Sequence, residues 1–92
     1  MNRSELIKRV AQKTEYMESD VSEVIRAAFD EIEDCLLNHE TVKIAGFGSY
    51  MVEKKAARNG FNPKKKEKIV ISERLVLKFR PSKKLKERIK ES

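Results

Sequence analysis

The sequence has little of several things, and each scarcity excludes a class of protein. Among 92 residues there is one cysteine, Cys35, so an intrachain disulfide is impossible. There is one histidine, His39, and a single Cys with a single His cannot form a Cys/His metal cluster. No run approaches the roughly 20 apolar residues that a transmembrane helix needs, and no long apolar segment follows the first charges as in a secretory signal. We therefore expect a cytoplasmic protein without disulfide, metal or cofactor.

Groups that could support catalysis are equally sparse. His39 stands near the end of a helical segment, where interaction with the helix dipole is the simpler interpretation. Cys35 lies on an apolar helical stripe and is interpreted as a small buried side chain. Gly46 and Gly48 are not followed by the lysine–serine or lysine–threonine pair of a phosphate-binding loop. The sequence therefore predicts neither an enzyme nor a small-molecule substrate.

Charge is abundant and unevenly divided along the chain. Charged residues make up 39% of the sequence, hydrophobic residues also 39%, and the net charge is +6. Acidic residues outnumber basic ones in residues 1–40, whereas residues 41–92 hold most of the lysines and arginines. This asymmetry indicates a polyanionic partner for one face, most commonly a nucleic acid. Because so short a chain has little apolar surface to bury, the composition also favours dimerisation.

The first 40 residues have helical periodicity. Asn2 is expected to cap a first helix that ends near Thr14. Ser19 is expected to cap a longer second helix. The apolar stripe of this second helix is wide enough to pack against both the first helix and a second subunit. Its members are Val21, Val24, Ile25, Ala28, Phe29, Ile32 and Leu36.

Beyond Thr41 the period becomes alternating, which predicts extended strands. Gly46 and Gly48 mark a turn or bulge between two of them, and Pro81 ends the last one. Residues 53–74 are rich in lysine and poor in large apolar groups, so we expect a two-stranded ribbon that projects into solvent. Ser82 is expected to cap a last helix whose Leu85 and Ile89 face inward.

Together these patterns predict an α+β fold in a single domain. Residues 1–40 form a helical dimerisation base. Residues 41–81 form a three-stranded antiparallel sheet with a protruding arm at about 53–74, and residues 82–92 form a C-terminal helix.

The ribbon carries charge in a form that suits nucleic acid. Basic side chains along two extended strands can follow the phosphates on either side of a groove. Proteins that bend DNA through the minor groove often insert an apolar wedge, proline included, between base steps. Pro63 lies at the expected ribbon tip in the pair Asn62–Pro63, for which an ordinary turn is the alternative interpretation.

Three segments resemble the HU/IHF family of bacterial histone-like DNA-binding proteins, in register and without gaps. They are residues 46–50 (GFGSY), 56–63 (AARNGFNP) and 79–86 (FRPSKKLK). The resemblance implies an intertwined homodimer with a helical base and two β-ribbon arms that embrace double-stranded DNA, with Pro63 inserted between base pairs. We therefore expect a nucleoid-associated architectural protein that bends and compacts DNA with little sequence specificity. Nicked or flexible DNA should bind more tightly because its deformation costs less.

The resemblance, taken with the charge pattern, assigns roles to individual residues. The expected DNA-binding arm comprises Lys54, Lys55, Arg58, Phe61, Asn62, Pro63, Lys64, Lys65, Lys66, Lys68 and Arg74. The expected phosphate contacts on the body are Arg3, Lys78, Arg80, Lys83 and Lys86. The expected dimer core comprises Phe29, Ile32, Leu36, Val42, Ile44, Phe47, Tyr50, Leu77 and Phe79.

The sequence departs from the family pattern in the arm. Residues 64–66 are all lysine where the family commonly has a polar pair and a glycine. Glu53 replaces a residue that is usually basic, and Phe61 one that is often basic. Two other functions stay open. One is sequence-specific bending like that of the integration host factor branch. The other is RNA binding, although the wide, shallow minor groove of RNA offers a ribbon less to grasp.

Overall fold

The computed structural model describes residues 1–62 and 67–92, with the side chains of all of these except Arg58 and residues 61, 62 and 67–71. The chain divides into two compact units, Met1–Cys35 and Leu36–Ser92. The described elements are α1 (Arg3–Thr14), α2 (Glu18–Leu37), β1 (Val42–Ile44), β2 (Gly48–Lys55), β3 (Arg58–Asn62), β4 (Glu67–Ile71), β5 (Arg74–Pro81) and α3 (Lys83–Glu91). The predicted α+β combination of helices with a three-stranded antiparallel sheet is confirmed.

Helix α1 begins at the predicted cap. The Asn2 side-chain oxygen accepts a hydrogen bond from the Glu5 N–H at 2.9 Å, which satisfies one of the free donors of the first turn. The helix ends at Thr14, and the next residue, Glu15, adopts the left-handed conformation with φ 61°. This backbone reversal leaves only Tyr16 and Met17 to connect α1 to α2.

Helix α2 begins two residues earlier than the sequence suggests. The Val21 N–H donates to the Met17 carbonyl at 3.1 Å, so Met17 occupies the cap position. The expectation that Ser19 caps this helix is wrong, because Ser19 already lies in the first helical turn. Beyond the other end, His39 adopts φ 59° and its N–H donates to the Leu36 carbonyl at 3.0 Å.

Little of the apolar surface is covered in the single chain. Among the described side chains, the buried hydrophobic ones are Ala11 and Val21, while Val24 on the same stripe of α2 is 68% exposed. Cys35 is half-buried rather than buried as expected. Helix α2 therefore keeps an apolar surface that the first helix does not cover.

The three-stranded sheet has the order β1–β2–β5, and both pairs are antiparallel. Its first connection is a tight turn in which the Phe47 N–H donates to the Ile44 carbonyl at 3.0 Å. Gly46 stands third in this turn with φ 75°, a conformation that glycine adopts without a steric penalty. Gly48 opens β2, which pairs with β5 from Gly48–Pro81 to Lys55–Arg74.

The ribbon continues from the same two strands after a short break. Strands β3 and β4 form a separate two-stranded sheet that pairs Arg58 with Ile71 at one end and Asn62 with Glu67 at the other. After β5, the Ser82 hydroxyl accepts from the Leu85 N–H at 3.1 Å and caps α3 as predicted. Leu85 is half-buried, but Ile89 is exposed in the single chain rather than inward-facing as expected.

Candidate nucleic-acid interface

The register of the sheet separates its side chains into two chemically different faces. Residues alternate along each strand, and residues directly opposite one another in an antiparallel pair share a face. Tyr50 pairs with Val42 on one side and with Phe79 on the other, so these three lie on one face. Ser49 likewise pairs with Lys43 and Arg80, which places those three on the opposite face.

The face that includes Arg80 carries most of the charge, and we call it the charged face. The register brings residues from three strands together on it. Its charged members are Lys43 of β1, Glu53 and Lys55 of β2, and Arg74, Lys78 and Arg80 of β5. Five are basic and one is acidic, so this surface has the sign and the exposure that a polyanion requires.

Two adjacent lysines that the sequence assigns to one arm lie on different faces. Lys55 pairs with Arg74 and belongs to the charged face, whereas Lys54 pairs with Leu75 and belongs to the other. The ammonium of Lys54 also lies 3.0 Å from a carboxylate oxygen of Glu73. Charge composition alone groups the two lysines, but strand alternation divides them.

Helix α3 adds exposed lysines directly after the end of β5. The Ser82 N–H donates to the Phe47 carbonyl at 2.8 Å, which ties the start of α3 to the β1–β2 turn. The next residues include Lys83 and Lys86, both exposed. The Ser82 cap and the hydrogen bond from Ser82 to Phe47 together fix the position of the first turn of α3, from which these two predicted phosphate contacts project.

The remaining arm residues can be placed only in part. The backbone register pairs Phe61 with Lys68 and Asn62 with Glu67 in the ribbon. The predicted wedge Pro63 and the lysines at 64, 65 and 66 lie outside the described residues. The ribbon strand β3 begins three residues after β2 ends, and the ribbon strand β4 ends three residues before β5 begins. The ribbon is therefore continuous in sequence with the two strands that carry most of the charged face.

The other face of the sheet is apolar and open. We call it the apolar face. Lys54 lies at one end of it, and its apolar members are Val42, Ile44, Tyr50, Val52, Leu75, Leu77 and Phe79. Phe79 lies on the edge strand β5, and its ring centroid is 4.7 Å from that of Tyr50 and 5.7 Å from that of Phe47. Leu77 is nevertheless 61% exposed. Three aromatic residues assigned to the dimer core are therefore in contact within one chain, while Leu75 and Leu77 stay exposed.

Arg3, the remaining predicted phosphate contact, belongs to the helical unit. Its guanidinium carbon lies 6.0 Å from the centroid of the Phe29 ring, within reach of a cation–π interaction. The residue is exposed, so this contact leaves the guanidinium accessible to an anion.

Two residues of the charged face escaped the sequence-based assignment. Lys43 was not assigned to any site, although the alternation Val42-Lys43-Ile44 already places it opposite the apolar residues. Glu53 was recognised as unusual, but its contacts depend on the pairing register. The sequence therefore indicates the face on which Lys43 lies, but it does not indicate which residues Glu53 contacts.

Among residues 1–62 and 67–92, no cluster of three or more His, Cys, Asp or Glu side chains has the arrangement of a metal site. None of the described helices combines the length and apolarity needed to cross a bilayer.

Comparison with known proteins identifies the family. The model of the family described as bacterial DNA-binding protein matches residues 1–90. This chain is a member of that family. DNA-binding protein HU of Thermotoga maritima is 44% identical over 90 residues, which cover 98% of this chain and all of the relative. Integration host factor subunit alpha of an Anaeromyxobacter species is 40% identical over 94% of this chain and 87% of the relative.

The fold agrees with this family membership. A cocrystal structure of Anabaena HU with DNA superimposes with a TM-score of 0.82 at 32% identity, covering 97% of both chains. The family resemblance predicted from the sequence is therefore confirmed over almost the full chain.

Proposed function

We propose that this protein is an architectural DNA-binding protein of the bacterial nucleoid. It binds double-stranded DNA with little sequence specificity, bends it and helps to compact it. The observation that carries the proposal is the two-sided sheet, in which one face concentrates five basic side chains and leads into a two-stranded ribbon. The family membership and the likeness to HU, solved in complex with DNA, support the same conclusion.

The protein acts as a homodimer. Its helices and its sheet each leave large hydrophobic side chains exposed, among them Val24 and Leu77, although apolar residues make up only 39% of the sequence. Large apolar side chains left exposed in this number are typical of an interface. A second copy of the chain is the partner that fits, because it brings matching apolar surfaces. The predicted core residues Phe29, Ile32 and Leu36 then lie in the helical half of that interface.

DNA contacts divide between the body and the arm. On the body, phosphates are bound by the basic residues of the charged face together with Arg3, Lys83 and Lys86. Lys43 is added to the contacts predicted from the sequence. Lys54, predicted as an arm residue, is left out because it lies on the apolar side of the sheet. On the arm, Arg58, Phe61, Asn62 and the basic residues at 64, 65, 66 and 68 follow the minor groove. Pro63 is the wedge that unstacks a base step, at a cost that the wider contact surface of bent DNA offsets.

This function needs no catalytic chemistry, metal or cofactor. The protein contributes charge, shape and an apolar wedge, and DNA contributes deformability. Because its ligand is chromosomal DNA, the protein works in the cytoplasm at the nucleoid.

A competition experiment tests the choice of nucleic acid. Matched DNA and RNA duplexes compete for the protein at fixed salt, and the expected result is clear preference for DNA. The narrower minor groove of B-form DNA suits a ribbon, whereas that of RNA is wide and shallow. Equal binding of the two duplexes would contradict the proposal.

Sequence-specific bending is the second candidate function. The observation that favours it is the 40% identity to an integration host factor subunit, close to the 44% found for HU. Specificity of that kind would come from sequence-dependent deformability at base pairs the protein does not touch. Selection from a random-sequence DNA pool separates the two functions. A featureless selected pool supports general architectural binding, and a defined motif supports the second candidate.

A further inference from the structure

Glu53 is the one acidic residue on the charged face, and it contacts two lysines at once. Its Oε1 lies 3.7 Å from the Lys78 ammonium and its Oε2 lies 3.5 Å from the Lys55 ammonium. Each carboxylate oxygen therefore serves a different cation. The Glu53 side chain is 29% exposed, while those of the two lysines are 44% and 51% exposed.

The pairing register explains this bridging position. Lys55 lies two residues beyond Glu53 on the same strand and therefore on the same face. Val76 is directly opposite Glu53, so Lys78 is its diagonal neighbour on β5. Long side chains span diagonal positions of this kind. The carboxylate also lies near the like-charged pair of Lys55 and Arg74, which face each other across the strands.

A carboxylate between two ammonium groups occupies the position that a DNA phosphate would take. Both groups present anionic oxygens to the same donors. Ion pairs this exposed are weak and screened by salt, so a phosphate can displace the carboxylate. Before DNA binds, the positive charges of Lys55 and Lys78 are therefore already partly neutralised by Glu53.

From this arrangement we infer that Glu53 is an internal competitor of DNA phosphates that lowers the affinity and the salt sensitivity of the charged face. The inference rests on the proposed DNA-binding function and deepens it. Binding exchanges the contacts of Glu53 with Lys55 and Lys78 for phosphate contacts. Removal of the Glu53 charge leaves both lysines fully available, and each subunit of the dimer then neutralises about one more phosphate.

The test is the salt dependence of DNA affinity for E53Q. Each additional phosphate neutralised steepens the slope of log K against log salt by about 0.9. With two subunits in the dimer the slope steepens by about 1.8. The counterion contribution vanishes near about 1 M salt, so this change corresponds to about sixtyfold tighter binding at about 0.1 M. The double variant E53Q/K78Q loses the extra phosphate contact again, and we expect its slope to return to the wild-type value.

Glu73 provides a matched control. Its carboxylate lies 3.0 Å from the ammonium of Lys54, which is on the apolar side of the sheet. E73Q changes the net charge by the same amount and also releases a lysine, but not on the charged face. We expect its slope to equal that of the wild type.

The outcomes separate this inference from the proposed function. A wild-type slope for E53Q, or the same change in E53Q and E73Q, overturns the inference while leaving DNA binding intact. Absence of salt-dependent duplex binding in the wild type overturns the proposed function itself. Circular dichroism melting curves of all variants verify that the compared proteins are folded.

Discussion

Gly48 lies so close to Phe79 that the site has no room for a side chain. A Cβ atom at Gly48 would stand 2.5 Å from Phe79 Cε1 and 2.6 Å from the Arg80 carbonyl oxygen. The glycine is thus required by close packing at the end of the sheet where β2 begins and β5 ends. This contact fixes the aromatic ring that anchors the apolar face.

The first prediction is that G48A destabilises the fold. The added methyl group must displace a ring and a backbone carbonyl, and overpacking of this kind typically costs about 1–3 kcal/mol. Thermal denaturation followed by circular dichroism measures the loss. G46N is the control, since Gly46 has open space around its Cβ position and asparagine tolerates its positive φ. A melting temperature for G48A equal to that of G46N would contradict the packing argument.

The second prediction concerns two non-glycine residues with left-handed backbones. Glu15 has φ 61° and His39 has φ 59°, a region that costs an ordinary residue about 1–2 kcal/mol. E15G and H39G should each raise the free energy of unfolding by up to about 1 kcal/mol, after the greater chain entropy of glycine is subtracted.

Q12G serves as the control for these two substitutions. Gln12 lies inside α1, where glycine is unfavourable by about 1 kcal/mol relative to alanine. Urea denaturation should therefore show that Q12G lowers the free energy of unfolding and that E15G and H39G raise it. Destabilisation of all three would mean that the left-handed residues carry no strain.

The third prediction tests the apolar face as a subunit interface. L77D places a charge at a position that is 61% exposed in the single chain but covered in the proposed dimer. We expect sedimentation velocity to show a dimer for the wild type and a monomer, or an unfolded chain, for L77D. K43D adds the same aspartate on the other face of the sheet and should remain dimeric. A monomeric wild type at micromolar concentration would contradict the proposed assembly.

Much of this fold could be predicted from local signals. Local sequence predicts the caps at Asn2 and Ser82, the alternating strands and the turn at Gly46. Each of these features depends on residues within a few positions of one another. The start of α2 could not be predicted in the same way. Ser19 is the better capping residue by type, but the left-handed Glu15 shortens the connection, and Met17 takes the cap position instead.

The candidate site depends more strongly on the register. The density of lysines predicts the position of the arm. It does not show that Lys54 and Lys55 lie on opposite faces of the sheet, or that Lys43 lies on the charged face. The contact between Glu53 and Lys78 requires knowledge of which residue faces which across two strands that are distant in sequence. Pairing is fixed by turn geometry and by burial of one face, and neither is local to the residues in contact.

The fourth prediction addresses Pro63. P63A should reduce the bend angle more than it reduces overall affinity, because phosphate contacts dominate binding whereas the wedge acts on base stacking. Fluorescence energy transfer across an end-labelled duplex measures the bend, and a titration on the same duplex measures affinity. Unchanged energy transfer at saturation would reject Pro63 as the wedge.

The most direct test of the account compares an intact and a singly nicked duplex, both end-labelled, in one energy-transfer titration with the wild-type protein. The account predicts that energy transfer rises on binding and that the nicked duplex binds more tightly, because its deformation costs less. Equal affinities with no change in energy transfer would mean that the protein coats straight DNA, and this result would contradict the central claim.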